Sequence, residues 1–380
     1  MRKVNFLLLL ILVILLQACL APTQIEETAI VNTRGVDLIE ENQERMLETV
    51  IVPYIFDPVV QETTSLLTGR GKTLKEARED AGKESSYLLS PGKITLELYG
   101  KEAAEQGILP FVSALVRDAR VSEKMLLAVT NQTAREIIEL TYEQITINKS
   151  EFFKDLINKE TRQNKLPISE LVNVDRYIEE PGIDPLLPII DDVEGRPTLV
   201  GAAVFHDDRY VLEISLEDSF LVNQMRRNVS KTLLNASVPL ENYRDHLIGE
   251  IPADTEELQI SMHLSKGNGK LKIIDQDSLA FEAKIKMRLE VLETSIPLEI
   301  NTKKISDQLK NDIESYYKQK YEELLTKLQD VKSDAFGIGR KYIATRKGSK
   351  TTGKEWDEKY RDVSVEFSVD VEIINTGAFG

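Results

Sequence analysis

The chain reads as an α+β protein of more than one domain, with mixed or antiparallel sheets flanked by helices and a long helix near the C-terminus packed on a strand-rich C-terminal domain. Three observations predict this class. In the first half, β-rich runs alternate with stretches of helical period. In the second half, apolar runs crowd between residues 198 and 292 ahead of one long helical stripe. The last segment alternates Val363, Val365, Phe367, Val369, Val371, Ile373 without interruption, the period of a strand with one buried face.

The elements follow in order. Ala29 to Asp37 and Met46 to Phe56 read as two early, paired strands. Thr73-Leu74-Lys75-Glu76 has the form of a capping box, so a helix is expected from Thr73 to about Leu89, where Pro91-Gly92 stops it. Ile94 to Tyr99 is a strand, Pro110 suits the first position of a helix that continues through Phe111 to Ala119, and Met125 to Thr130 is the next strand. Helices are expected over 133–140, 150–163 and 168–179. The prolines and glycine of Pro181-Gly182-Ile183-Asp184-Pro185, with Pro188 and Pro197 beyond, mark the domain boundary between 180 and 197. Thr198 to Phe205 and Tyr210 to Ile214 form a hairpin around His206-Asp207-Asp208-Arg209. Leu258 to Leu264 and Leu271 to Ile274 are expected as two strands joined at Lys266-Gly267-Asn268-Gly269, and Phe281 to Leu292 as a third. From Thr302 to Lys332 the apolar positions Ile305, Leu309, Ile313, Tyr316 or Tyr317, Leu324, Leu328 and Val331 follow a spacing of threes and fours, so one stripe of a long helix faces a core.

The only cysteine, Cys19, follows Met1-Arg2-Lys3 and the eleven apolar residues Phe6 to Leu16, in the context Leu16-Gln17-Ala18-Cys19. This arrangement resembles a bacterial lipoprotein signal peptide: Ala18 is the small residue before the cut, and Cys19 is the thiol that carries diacylglycerol. The apolar run is shorter than the roughly 20 residues a spanning helix needs, and Gln17 and Pro22 bound it. The expected organisation is a signal peptide at 1–18, a lipid-attached tether at 19–28, an N-terminal α/β-type domain at 29–190, open to division into two subdomains, and a C-terminal α+β domain at 197–380. Loss of the leader leaves 46 basic against 63 acidic residues, about −17. So acidic a surface is repelled by nucleic acid and by anionic headgroups, so no nucleic-acid partner is expected and the lipid is what holds the protein to a membrane. With one cysteine, no intramolecular disulfide forms.

Residues that carry chemistry are sparse. Gly71-Lys72-Thr73 lacks the glycine five positions earlier that a phosphate loop needs, since Leu66 stands there, and reads as a turn feeding a capped helix. His206, His246 and His263 are too dispersed for a local metal motif, and no Gly-x-Ser-x-Gly elbow is present. Asp191-Asp192 and Asp207-Asp208 are best read as solvated turns in a chain with 63 acidic residues. Arg117-Asp118-Ala119-Arg120 reads as an ion-pair cluster at a helix end, and Trp356 as an anchor of the last strand or a contact surface. No catalytic, cofactor-binding or metal-ligating residue is predicted, and the one predicted site residue is Cys19, for lipid attachment.

Several separated segments resemble the Ger(x)C family of spore germination lipoproteins, the C subunit of bacterial germinant receptors. They are Ala29 to Asp37, ending in Gly35-Val36-Asp37; Gly69 to Ala77; Phe111 to Val129, with Arg117-Asp118; Leu199 to Phe205 followed by Tyr210-Val211-Leu212; Asp334-Ala335-Phe336-Gly337-Ile338-Gly339; Trp356; and the closing strand with Gly377. The chain departs from the family pattern in having Leu20-Ala21-Pro22-Thr23 where a Trp-Asp pair is common, no histidine near Ser90 to Gly92, and Glu213 where a glycine is usual.

The resemblance implies a non-catalytic subunit without a cofactor, lipid-anchored on the outer face of the spore inner membrane. It also implies partnership with an A-type subunit that spans the membrane several times and a transporter-like B-type subunit. Two other classes compete: a substrate-binding lipoprotein of a transporter, which needs two lobes around a ligand cleft, and a cell-wall hydrolase, which needs a nucleophile, carboxylate pair or metal absent from the motifs above.

Overall fold

The computed structural model describes residues 28–41, 43–55, 66–90, 94–144, 149–248, 254–300, 302–345 and 352–375. Cys19, the leader and the end of the predicted second strand at Phe56 lie outside them.

Two sheets organise the chain. The first has nine strands: β1 (Thr28–Glu41), β2 (Glu44–Ile55), β3 (Leu67–Gly71), β4 (Leu88–Ser90), β5 (Leu96–Tyr99), β6 (Leu126–Val129), β7 (Leu186–Val193), β8 (Arg196–His206) and β9 (Arg209–Ile214). Their order is β3-β2-β1-β5-β6-β7-β8-β9, with β4 paired alongside β1. The outer pairs are antiparallel and the central β1-β5-β6-β7 ladder is parallel, a mixed sheet. The parallel connections are helical, as such crossovers require. The helices so placed include α1 (Leu74–Gly82), α2 (Lys101–Gln106), α3 (Leu109–Val116), α4 (Ala134–Gln144), α5 (Lys149–Arg162) and α6 (Leu171–Glu179). The second sheet runs β10 (Thr232–Pro239), β11 (Glu257–Asp275), β12 (Ala280–Thr294), β13 (Ser364–Asn375), antiparallel except for the last pair. Helix α7 (Leu216–Arg226) and a 3₁₀ turn at Leu240–His246 lead into and out of β10. The long α8 (Lys303–Asp330), then α9 (Ile338–Thr345) and α10 (Gly353–Tyr360), stand between β12 and β13.

The strand-rich C-terminal half with its long helix is as predicted. Thr302 caps α8 through its hydroxyl, and Ile305, Leu309, Ile313, Tyr317, Tyr321, Leu324 and Leu328 form its buried stripe. Side chains from both sheets merge in one core that reaches from Val50, Leu98 and Ala128 through Val204 and Phe220 to Ile285, Leu324 and Phe367. A second core covers the opposite face of the first sheet under α2, α3 and α6, with Tyr99, Ala104, Phe111, Leu127 and Leu171.

Three expectations need correction. The helix expected from Thr73 to Leu89 stops at Gly82, and Leu88–Ser90 instead pairs with β1; the Thr73 hydroxyl accepts from the Glu76 N–H, but no apolar stripe continues past Ala81 to hold a longer helix down. The two strands expected on either side of Lys266-Gly267-Asn268-Gly269 are one strand, β11, paired with β12 through both glycines. Their missing side chains let α7 lie close: a Cβ on Gly267 would meet the Gln224 amide at 2.8 Å and one on Gly269 the Met225 sulfur at 2.8 Å. None of β3, β7, β10, α2, α7, α9 and α10 is among the predicted elements. Across 180–197 the first sheet is continuous: β7 pairs with β8 in a hairpin turned at Glu194-Gly195, both with positive φ, and β8 pairs with β9.

Candidate functional site: a buried aspartate hub

The segments that carried the family resemblance near the C-terminus fold around one carboxylate. Asp334 lies between α8 and α9, 2% exposed. Its Oδ1 accepts from the backbone N–H groups of Gly337 at 2.8 Å and Ile338 at 2.9 Å; its Oδ2 accepts from Gly339 N–H at 2.6 Å and from the Trp356 indole at 2.9 Å. It thus satisfies the free donors at the start of α9 and fixes α10 through its tryptophan. Burial pushes its carboxyl up to about 6 against the pull of those four donors. Trp356 packs on Tyr342 at 5.3 Å and Tyr360 at 6.1 Å, and Gly339 makes room for its ring, since a Cβ there would sit 2.3 Å from it.

The hub continues into the first sheet. Asp184, just before β7, accepts from Asp334 N–H at 2.7 Å and from Asp207 N–H at 2.8 Å, and burial raises its carboxyl to about 8. Arg226, at the end of α7, donates to the carbonyls of Ala335 at 2.6 Å and Asp184 at 2.5 Å and lies over the Tyr177 ring at 5.0 Å. Ser333 donates to the Phe205 carbonyl at 2.6 Å. Gln329 on α8 donates to the carbonyls of Tyr360 and Val363, ahead of β13. The Asp184–Asp334, Arg226–Ala335 and Ser333–Phe205 bonds tie the first sheet and α7 to the segment after α8, and the Trp356 and Gln329 bonds tie that segment and α8 to α10 and the approach to β13. The arrangement holds backbone segments together. It presents no activated nucleophile, since the aspartate oxygens are committed to N–H donors.

Of the residues weighed in the sequence, His206 lies at the end of β8, His246 in the 3₁₀ turn and His263 in β11. Among the described residues, one group is close enough to share a cation: Asp184, His206 and Asp207, with ligand atoms within 4.8 Å of one another. Of the acidic pairs, Asp207-Asp208 forms the β8–β9 turn as expected and Asp192 and Asp207 are exposed, but one member of each pair is held by a distant partner. Asp191 accepts from the Thr130 hydroxyl, the Asn131 N–H and the Asn131 amide, and Asp208 accepts from Leu109 N–H at the start of α3. Partners 60 to 99 positions away in sequence make such bonds invisible to local reading. Asp118 and Arg120 do pair, bidentately at 2.8 and 2.7 Å, as an ion-pair cluster. Trp356 is the anchor and not a contact surface, at 1% exposed. Cys19 lies outside the described residues. The hub itself was missed; its residues appeared in the sequence only as parts of a family pattern.

Two successive family profiles match the chain: "Spore germination protein N-terminal domain" over residues 22–192 and "Spore germination B3/ GerAC like, C-terminal" over residues 200–377. The chain belongs to the Ger(x)C family of germinant receptor C subunits. A curated relative, spore germination protein GerQC of Bacillus cereus, is 19% identical over 373 residues, covering 98% of this chain and 99% of its own length. The crystal structure of the GerBC protein is similar in fold, with a TM-score of 0.53 at 15% identity over 90% of this chain and 97% of that one. The two Ger(x)C profiles meet between residues 192 and 200, while the sheet ladder continues from β7 into β8 across the same point. Among the described residues, no helix is long and apolar enough to cross a membrane.

Proposed function

We propose that this chain is the lipid-anchored, non-catalytic C subunit of a nutrient receptor in the spore inner membrane, needed for nutrient-triggered germination. Its partners are a multi-spanning A-type subunit and a transporter-like B-type subunit. The observation that carries the reading is the run of both family profiles, in order, behind a lipoprotein-like leader that ends at Ala18 and is followed by Cys19. Lipid on Cys19 confines the protein to the outer face of the membrane and raises its effective concentration beside its partners. Nutrient binding then biases an equilibrium that the assembled subunits share. The Asp334 hub supports such a role because it ties the first sheet to the C-terminal helices, so a displacement of either is felt by the other.

The test is purification of the tagged, membrane-extracted protein from sporulating cells, with its partners identified by mass spectrometry. Recovery of A-type and B-type subunits is the expected result. Recovery of a transporter ATPase and permease would replace the receptor reading with solute capture. A companion variant, Cys19→Ala, is expected to move the protein from the membrane to the soluble fraction and to abolish nutrient germination, with its circular dichroism unchanged. Normal germination by that variant would remove lipid-dependent assembly from the proposal.

A further inference from the structure

A cavity of about 290 Å³ opens on the helical face of the first sheet, between α1, the end of α3 and the turn that follows it. Four cations line it: Arg34 from β1, Lys75 and Arg78 from α1, and Arg120 from the turn, with Asp118 the one carboxylate among them. Three of the cations already have partners. Arg34 is buried and pairs with Glu97 beneath the cavity, Arg120 holds both oxygens of Asp118, and Lys75 lies 3.9 Å from Glu79 one turn along α1. Arg78 is different. It is half-buried in the wall, and among the described residues no hydrogen bond, ion pair or aromatic ring meets its guanidinium.

An arginine in that position is costly. Its charge has lost part of its water, and Arg120 and Arg34 are near enough to repel it; burial first, and then these two arginines, lower its pKa. A protein with a net charge of −15 has carboxylates to spare for such a group, yet the two near enough to act on it, Asp118 and Glu79, already pair with Arg120 and Lys75. A planar fork of donors facing a cavity, flanked by further cations, matches an oxyanion that accepts two parallel N–H bonds.

We propose that this cavity is a binding site for a phosphate group, with Arg78 as its principal ligand and Arg120 and Lys75 as flanking cations. Apolar Leu74, Leu115 and Val121 complete the lining, which suits a phosphate carried on a small organic body. That phosphate belongs either to a soluble metabolite or to a lipid headgroup presented by the membrane beside which the family works.

The test begins with calorimetric titration of the detergent-solubilised full-length protein with inorganic phosphate at fixed ionic strength. Saturable binding of one phosphate is expected. Arg78→Gln should weaken it at least about tenfold, as loss of charge-assisted bidentate bonds does, and Arg78→Lys should retain part of the affinity. Lys72→Gln, which removes a cation outside the cavity, should change nothing. A thermal melt of Arg78→Gln matching the parent ensures that a loss of binding is not a loss of fold. A second arm uses the unlipidated full-length Cys19→Ala chain with phosphatidylcholine vesicles, with and without phosphatidylglycerol. Arg78-dependent flotation with the anionic vesicles, competed by free phosphate, identifies the headgroup as the source. Arg78-dependent phosphate binding without Arg78-dependent flotation identifies a soluble phosphate compound. No saturable phosphate binding, or binding equal in the parent and Arg78→Gln, overturns the proposal.

Discussion

Asp37 shows how a single buried carboxylate makes stability depend on pH. It sits on β1, 2% exposed, and accepts from the N–H groups of Ala134 at 2.7 Å and Arg135 at 3.0 Å, so it closes the start of α4 from a different element. Thr133 and Glu136 complete the same helix start by exchanging bonds across a capping box. Burial raises the Asp37 carboxyl from 3.8 to about 6, outweighing the two backbone bonds; Glu48 and Glu136 nearby push the same way. The folded protein therefore keeps a proton on Asp37 at pH values where the unfolded chain has released it. Its contribution to stability is fully present below about 3.8 and is lost as pH rises through about 6. A shift of this size corresponds to at most about 3 kcal/mol. Urea midpoints at pH 4.5, 5.5 and 7 are the measurement: the parent should lose stability across this range, and Asp37→Asn should show a shallower slope. An equal slope in the two proteins would mean that Asp37 does not titrate there.

At the scale of elements, close contact of backbones explains why some positions in the family pattern are glycine. Strand β3 lies directly beneath α1, and a Cβ on Gly69 would come within 2.1 Å of the Ala77 carbonyl and 2.2 Å of the Ala81 nitrogen. Both obstacles are helix backbone, so relief requires α1 to move off the sheet. Gly69→Ala is expected to cost about 3 kcal/mol, at the upper end of overpacking. Gly195→Ala, at φ +78° in the β7–β8 turn with open space around it, should cost only about 1 kcal/mol. Comparison of their chemical-denaturation free energies tests this, and equal losses would mean that β3 and α1 are not held as closely as described. The same elements show what the sequence could convey. The α8 stripe, the alternation of β13 and the β8–β9 hairpin were legible because period and turn chemistry agree within each segment. The helix α7 carried a usable signal that went unread, Ser215 three residues before Asp218, whose N–H its hydroxyl accepts. Strand β7 was hidden by Pro188 and by a Glu-Gly turn that lacks the usual Asn or Asp. The hub lay beyond local reading, because Asp334 and Asp184 are 150 positions apart and nothing in either segment announces the other.

For the whole molecule, the question is whether the two family-profile segments behave as separate folding units. Three features argue that they unfold together. The first sheet gains β8 and β9 from the C-terminal side of the junction, so cutting there would expose the paired edge of β7. One continuous core takes side chains from both sheets, from Leu98 and Val204 to Leu324 and Phe367. The hub bonds the lead-in of β7 to the segment after α8 through Asp184, Asp334 and Arg226, and losing either carboxylate would leave buried N–H groups unpaired. The chain supplies its own reporter, since Trp356 is its only tryptophan and lies inside the hub. Its fluorescence follows the junction alone, whereas far-ultraviolet circular dichroism follows every helix and strand. In a urea titration the two signals should trace one coincident transition, the signature of a two-state molecule. Asp334→Ala should move both curves to lower urea together, by a free energy of about 3 kcal/mol, the cost of several unpaired buried donors. If the Trp356 signal instead changes at lower urea than the dichroism, the hub opens while the sheets stand, and the two segments are independent units joined by a weak contact.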